Sequence, residues 1–149
     1  MISNSINILL VEDNPADARL IKEVFKDTKI KNNLYVVKDG VDAMAFLNQE
    51  DQYADIPRPD VILLDLNLPR KDGREVLKEL KEDNALKRVP IVILTTSNAK
   101  EDIIRTYNNH ANCYITKPVD FDKFLKVINS IEDFWLTVVK LPSNLDDRG

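Results

Sequence analysis

The stretch VILLDLNLPRKDG, residues 61–73, decides the fold of this chain. It opens with a continuous aliphatic run, which is typical of a strand buried on both faces of a parallel sheet. The run ends on Asp65, with Asn67 and Gly73 close behind, and helical spacing of apolar residues resumes after the glycine. An acid at the end of a buried strand is either a local helix cap or a functional group, and the rest of the sequence discriminates between them.

The same unit of an apolar run followed by a helical pattern occurs five times. Asn14 and Pro15 mark the start of the first helix, as an N-cap residue and a proline at the first helical position. Alternating strands and helices predict an α/β fold, a doubly wound parallel sheet of (βα)5 form with helices on both faces. The predicted strands are residues 6–11, 34–39, 61–66, 90–95 and 113–116, and the last two helices are predicted at residues 99–109 and 121–138.

Composition narrows the class of protein. The 149 residues suit one domain, which we place at residues 6–140 with a flexible tail at 141–149. A net charge of −4 argues against a nucleic-acid surface, and no run approaches the ~20 apolar residues of a membrane span. The N-terminus lacks the basic region of a signal peptide, so we expect a cytoplasmic protein. The single cysteine, Cys113, and the single histidine, His110, argue against disulfides and against thiolate or histidine metal sites.

Polar residues follow four of the five predicted strands. In open parallel sheets, ligands bind outside the carboxyl ends of the strands, so these residues are expected to meet at one edge. Helix capping alone would explain one acid but not the whole set. The set consists of Glu12 and Asp13 after the first strand, Asp65 and Asn67 at the third, Thr95, Thr96 and Ser97 at the fourth, and Thr116, Lys117 and Pro118 at the fifth.

Three acids at one edge point to a bound cation. Clustered carboxylates repel one another unless a positive charge lies among them. The oxygen ligands on offer suit a hard divalent ion, Mg²⁺ first, with Mn²⁺ and Ca²⁺ as alternatives. Aspartate is also a known phosphoryl acceptor, and phosphoryl transfer depends chiefly on positioning and charge neutralisation. Asp65 therefore stands where a metal and Lys117 would help it to attack phosphorus.

The motifs LLVEDNP, VILLDLNLPRKDG, ILTTS and YITKPVD, in this order, resemble the receiver domain of response regulators in two-component signalling. The resemblance spans about residues 6–135. It implies a flavodoxin-like fold with strand order 2-1-3-4-5. It further implies roles for individual residues: Asp65 as phosphoacceptor; Glu12, Asp13, Asp65 and Asn67 at the metal; Thr95 and Lys117 at the phosphoryl group; Thr95 and Tyr114 as the switch; Asn67 and Ser97 as the residues that tune hydrolysis.

The resemblance also implies partners. A sensor histidine kinase or phosphotransfer protein would donate the phosphoryl group, and the chain is similar to the subgroup that serves phytochrome-type kinases. Signalling would occur by a conformational change at the face formed by the fourth helix, fifth strand and fifth helix, which would bind a downstream protein. The apolar end of the last helix, with Phe134, Trp135, Val138 and Val139, predicts a homodimer through the same region.

Three other functions fit the sequence less well than this one. A haloacid-dehalogenase-type phosphatase needs a second acid two residues after its nucleophile, where this chain has Asn67. A flavodoxin-like cofactor binder needs a phosphate-binding first loop, whereas VEDNPAD is acidic. A docking module that works without phosphorylation would not need the intact set of acids, threonine and lysine. We therefore expect a signalling receiver that catalyses only its own phosphorylation and dephosphorylation. Its basic side chains at Arg58, Arg70 and Lys71 are expected in solvent, and those near Asp65 are also candidates for steering a kinase.

Overall fold

The structure, a computed structural model, describes residues 5–27, 31–95 and 113–116, together with Asp122, Lys126 and Ser130. The helix predicted at 99–109, most of the helix predicted at 121–138, and the tail at 141–149 lie outside these residues. The domain boundary at residue 140 therefore stays a prediction.

The described elements alternate between strand and helix as predicted. Five parallel strands form one sheet in the order β2-β1-β3-β4-β5, which confirms the predicted fold class and strand order. The elements are β1 (Ile6–Val11), α1 (Pro15–Lys26), β2 (Asn32–Val37), α2 (Gly40–Leu47), a short 3-10 helix (Asp51–Tyr53), β3 (Val61–Asp65), α3 (Gly73–Glu82), β4 (Ile91–Thr95) and β5 (Cys113–Thr116).

The second strand differs from its predicted position at residues 34–39. It begins at Asn32, which is level with Ile6, and ends at Val37. It ends there because Asp39 caps α2, and its Oδ1 accepts a hydrogen bond from the backbone N–H of Asp42 at 2.8 Å. A capping residue has left the strand, so the apolar pattern alone misplaced this boundary.

Alternate residues of the strands build two cores, one on each face of the sheet. On one face, Ile8, Leu10 and Leu63 pack with the buried side of α1. On the other face, Leu9, Val11, Ile62, Leu64, Val76, Leu77 and Phe46 bring together the strands, α2 and α3. Every residue of β3 is buried, which is the pattern expected of a central parallel strand. None of the described helices is long and apolar enough to cross a membrane.

Asp60 joins the start of β3 to β1 at the edge opposite the predicted site. Its Oδ2 accepts a hydrogen bond from the backbone N–H of Asn7 at 2.8 Å, and its own N–H donates to the Asn7 carbonyl at 2.7 Å. Burial raises the pKa of this carboxyl above its ordinary value, and the Asn7 hydrogen bond opposes the rise. The charged form of Asp60 is therefore disfavoured in the folded chain.

The Asp60→Asn variant is expected to melt at a higher temperature than the wild type at neutral pH. Asparagine keeps an acceptor for Asn7 and removes a charge that burial disfavours. A raised pKa means that the folded state binds protons more readily, so the wild type loses stability as pH rises through the folded pKa. Thermal unfolding from pH 3 to 8 should show the gain at neutral pH and its disappearance below about pH 4.

A matched control for this experiment is Asp55→Asn, which removes the same charge from an exposed position. A surface substitution of this kind should change stability by less than about 0.5 kcal/mol at any pH. A melting temperature for Asp60→Asn that stays at or below that of the wild type at neutral pH would refute the expectation.

Candidate functional site

Strand register brings the predicted acids to one edge of the sheet. Val11 is level with Leu64, so the residues that follow them, Glu12 and Asp65, are neighbours where β1 and β3 end. Asp65 is itself level with Leu94 of β4. The edge continues into β5, because Thr95 is level with Thr116. The carboxyl ends of β1, β3, β4 and β5 therefore share one edge, as the sequence predicts.

Three carboxylates meet at this edge. Oxygens of Glu12, Asp13 and Asp65 all lie within 4.8 Å of one another. Glu12 and Asp65 are only 1% and 2% exposed, whereas Asp13 is exposed to solvent. Such a cluster of negative charges is stabilised by a cation, and its donor set of hard oxygens fits a divalent ion such as Mg²⁺ or Mn²⁺. The predicted metal-binding acids are thus close enough to share one ion.

Backbone N–H groups orient two of the acids. The N–H of Asn14 donates to Glu12 Oε2 at 3.1 Å, and the N–H of Asn67 donates to Asp65 Oδ1 at 2.9 Å. Asn14 in turn caps α1, with its Oδ1 accepting from the backbone N–H groups of Ala16 and Asp17. Both acids are therefore held by the loops that follow their strands, and the position of each loop helps to set that of the carboxylate.

Gly73 lies directly against the backbone of Asp65. Its N–H donates to the Leu66 carbonyl at 3.0 Å, which closes the loop between β3 and α3. A Cβ added at Gly73 would stand 2.2 Å from the Asp65 carbonyl oxygen. Glycine is required here because the two backbones approach too closely for any side chain, whereas the sequence alone marks Gly73 only as the residue after which the helical pattern resumes.

Four of the predicted site residues are not tested by their side chains. Only the backbone is described for Thr95 and Tyr114, which lie in β4 and β5. Ser97 and Lys117 lie outside the described residues. Their roles at the phosphoryl group, in the switch and in hydrolysis stay predictions.

Three basic side chains, Arg70 and Lys71 after Asp65 and Arg58 before β3, have protein partners. Arg58 and Arg70 are nevertheless exposed, as predicted, whereas Lys71 is partly buried. The Arg58 Nε donates to the Leu47 carbonyl at 3.1 Å, at the end of α2. Lys71 forms an ion pair with Glu79 of α3. Arg70 forms ion pairs with Asp39 and Asp42, and Asp39 is 31 positions away in the sequence. Sequence reasoning gave no sign of this last pair, because charged residues so far apart carry no shared pattern.

Comparison with known proteins agrees with this arrangement. Residues 8–129 match the response regulator receiver domain family, and this match covers most of the chain. The chain belongs to the response regulator receiver family. It is therefore a receiver domain of two-component signalling, in a family whose members are regulators rather than metabolic enzymes, interact with histidine kinases and bind divalent metal ions. The cluster of Glu12, Asp13 and Asp65 fits the phosphoacceptor site of such a receiver.

Several relatives of this receiver are similar over nearly their whole length. Response regulator Rcp1 of Synechocystis sp. is 52% identical over 136 residues, which are 91% of this chain and 92% of Rcp1. The crystal structure of the phosphorylated cyanobacterial phytochrome response regulator RcpA is 50% identical, with a TM-score of 0.80 over 89% of this chain and 95% of that one. The structure of the Mn²⁺-bound form of Rcp1 is 51% identical, with a TM-score of 0.79 over 89% of this chain and 96% of that one.

Proposed function

We propose that this chain is a phosphoacceptor response regulator in which Asp65 takes a phosphoryl group from a histidine kinase. The observation that carries the proposal is the meeting of three carboxylates at the end of a buried strand. Asp65 is nearly inaccessible as a residue, yet it lies beside the exposed Asp13 at the edge where ligands of parallel sheets bind. Receiver family membership supports the same reaction.

Mg²⁺ is the metal we propose, held by carboxylate oxygens of Glu12, Asp13 and Asp65 and by the backbone carbonyl of Asn67. When bound, the ion neutralises the charge that builds up on the phosphoryl oxygens. Mn²⁺ and Ca²⁺ use the same kind of oxygen ligand and are expected to substitute to some degree. The structure of Mn²⁺-bound Rcp1, a relative at 51% identity, supports a divalent ion in this class of protein.

The proposed transfer is an in-line displacement at phosphorus. An oxygen of the Asp65 carboxylate forms the new O–P bond while the P–N bond to the donor histidine breaks. The leaving imidazole takes up a proton and returns to its neutral form. Hydrolysis is the corresponding attack by water on the same phosphorus, which releases inorganic phosphate and restores the carboxylate. The receiver thus catalyses both its own phosphorylation and its own dephosphorylation, while Thr95 and Lys117 bind the phosphoryl oxygens.

The donor is proposed to be a kinase of the phytochrome type, because RcpA is a phytochrome response regulator at 50% identity. A groove of about 1000 Å³ between α1 and β2 opens beside Glu12 and Asp13. Arg19, Lys22 and Lys38 line it together with apolar side chains. A histidine phosphotransfer domain seated there would stand next to the acidic cluster, so we assign the groove to the kinase.

The proposed output is a change at the face formed by the fourth helix, β5 and the fifth helix, driven by the Thr95 and Tyr114 switch. Phosphorylation adds roughly −1.5 to −2 charge at neutral pH, enough to bias a two-state element. We propose that this face binds a downstream protein and a second copy of the chain, in the cytoplasm. Light scattering with and without phosphorylation measures the dimer, and a monomer in both states would exclude it.

The reaction is tested by intact-mass spectrometry after incubation with acetyl phosphate and Mg²⁺. We expect one adduct of about 80 Da on the wild type. The adduct should disappear when EDTA removes the metal and should be absent from Asp65→Asn, which keeps the shape of the side chain but lacks the nucleophilic carboxylate. An adduct that persists in EDTA or in Asp65→Asn would contradict the proposal.

A further inference from the structure

We propose that Arg70 is a positioning residue, whose ion pair with Asp39 fixes the loop after Asp65 and thereby the geometry of the metal site. The inference rests on the proposed function, since it concerns the same acidic cluster. It names a residue that touches neither metal nor phosphoryl group and acts through the loop of residues 66–72.

The ion pair has the geometry of a strong one. Arg70 Nε donates to Asp39 Oδ2 at 2.9 Å and Nη2 donates to Asp39 Oδ1 at 3.1 Å, so two parallel hydrogen bonds join the groups. Nη2 also reaches Asp42 Oδ1 at 3.2 Å. The Asp39 side chain is only 12% exposed, whereas that of Arg70 is 56% exposed, so the pair is shielded from solvent on the carboxylate side only.

Asp39 is held charged by these contacts. Burial alone would raise the pKa of this carboxyl, but the Asp42 N–H and the Arg70 guanidinium more than offset burial and lower it. The carboxylate is also the cap of α2 and belongs to the rigid start of that helix. Arg70 therefore ties the loop to a fixed point on a different element from the one that carries Asp65.

The loop of residues 66–72 is held at two points, its base and its tip. At its base, Gly73 packs on the Asp65 carbonyl and donates to the Leu66 carbonyl. Near its tip, the Lys71 carbonyl oxygen packs closely against Gly40, the first residue of α2. A Cβ added at Gly40 would stand 2.1 Å from that oxygen. The ion pair between Arg70 and Asp39 joins the same part of the loop to the start of α2 through side chains. Between these two points lies Asn67, whose N–H donates to Asp65 Oδ1 at 2.9 Å.

The backbone of Arg70 supports the same interpretation. Its φ is 63°, in the left-handed region that residues other than glycine seldom adopt. A non-glycine residue persists in such a conformation when the surrounding contacts hold it there. The ion pair with Asp39 supplies such a contact. The positive φ also offers a way to separate the effect of the backbone conformation from the effect of the side chain. Arg70→Gly keeps the left-handed backbone accessible while it removes the guanidinium.

The test compares Arg70→Ala and Arg70→Gly with Lys71→Ala as the matched control. Lys71→Ala removes the same charge from the same loop, but the pair that it breaks joins the loop to α3, its own continuation, rather than to α2. Mn²⁺ affinity is measured by calorimetry, and phosphorylation by acetyl phosphate is followed as a function of metal concentration. Thermal unfolding confirms that each variant folds.

For both Arg70 variants we expect the metal dissociation constant to rise about tenfold, as is usual when a residue that supports a metal ligand is lost. The phosphorylation rate at saturating metal should stay within about twofold of the wild type, because the nucleophile is intact. Lys71→Ala should keep the wild-type metal affinity. A general loss of stability would not produce this split between affinity and saturated rate.

The Asp39→Asn variant tests whether Asp39 is the residue through which Arg70 acts. Asparagine still caps α2, yet it removes the charge that Arg70 binds. The double variant Asp39→Asn/Arg70→Ala should bind Mn²⁺ about as weakly as each single variant, since both remove one interaction. Additive losses, or Arg70 variants that match Lys71→Ala, would overturn the inference while wild-type phosphorylation left the proposed function standing. A wild type that binds no metal and takes no phosphoryl group would overturn both.

Discussion

The Asp13→Asn variant is expected to lose about 100-fold or more in its rate of phosphorylation by acetyl phosphate at millimolar Mg²⁺. Asp13 is the exposed member of the carboxylate cluster, with an oxygen within 4.8 Å of those of Glu12 and Asp65. Removing its charge leaves only two carboxylates to bind the divalent ion. That ion is needed to neutralise the negative charge on the phosphoryl oxygens in the transition state. Because Asp13 lies in a loop at the surface, the fold should be unaffected and the loss should be one of metal affinity.

Rates measured over a range of Mg²⁺ concentrations test this expectation. High Mg²⁺ should recover part of the lost rate, since the nucleophile Asp65 is still present. Asp17→Asn is the control, because it removes one charge from the first turn of α1 without touching the cluster. If Asp13→Asn reached half its maximal rate at the same Mg²⁺ concentration as the wild type, Asp13 would not be a metal ligand.

Gly73→Ala is expected to destabilise the chain by about 2–3 kcal/mol and to slow phosphorylation strongly. The new methyl group would stand 2.2 Å from the Asp65 carbonyl and 2.6 Å from Leu66 Cα, both backbone atoms that no side-chain rotation relieves. Either α3 or the end of β3 must move. A shift of the strand end displaces the nucleophile itself, so stability and rate should fall together.

Chemical denaturation and acetyl phosphate kinetics give the two quantities for Gly73→Ala. Lys78→Ala, at an exposed position of α3, provides the control and should lie within about 0.5 kcal/mol of the wild type. Wild-type stability in Gly73→Ala would mean that the close approach between α3 and Asp65 is relaxed without cost in solution.

Local sequence patterns predicted the fold because each strand is a clear apolar run and each described helix has a distinct start. Asn14 and Pro15 at α1 are such a signal, and the structure shows both in their expected places. β3 was predicted to within one residue for the same reason. The carboxyl ends of parallel strands share an edge, which is why the sequence predicts that Glu12 and Asp65 lie together.

Features that depend on contacts across elements could not be predicted in this way. The Arg70–Asp39 pair joins residues 31 positions apart, and neither has a sequence neighbourhood that points to the other. The need for glycine at position 73 arises from the distance to the Asp65 backbone, which only the packed structure defines. The predicted end of β2 at residue 39 is wrong because the Asp39 side chain caps α2 instead of continuing the strand.

The most direct test of the central claim is to locate the phosphoryl group. An acyl phosphate on aspartate is reduced by borohydride to homoserine, so peptide mapping after phosphorylation and reduction reports the modified residue. The account predicts homoserine at position 65, in the peptide that contains VILLDLNLPR, and only when divalent metal is present during phosphorylation. Homoserine at Asp13 or at any other aspartate, with Asp65 unmodified, would contradict it.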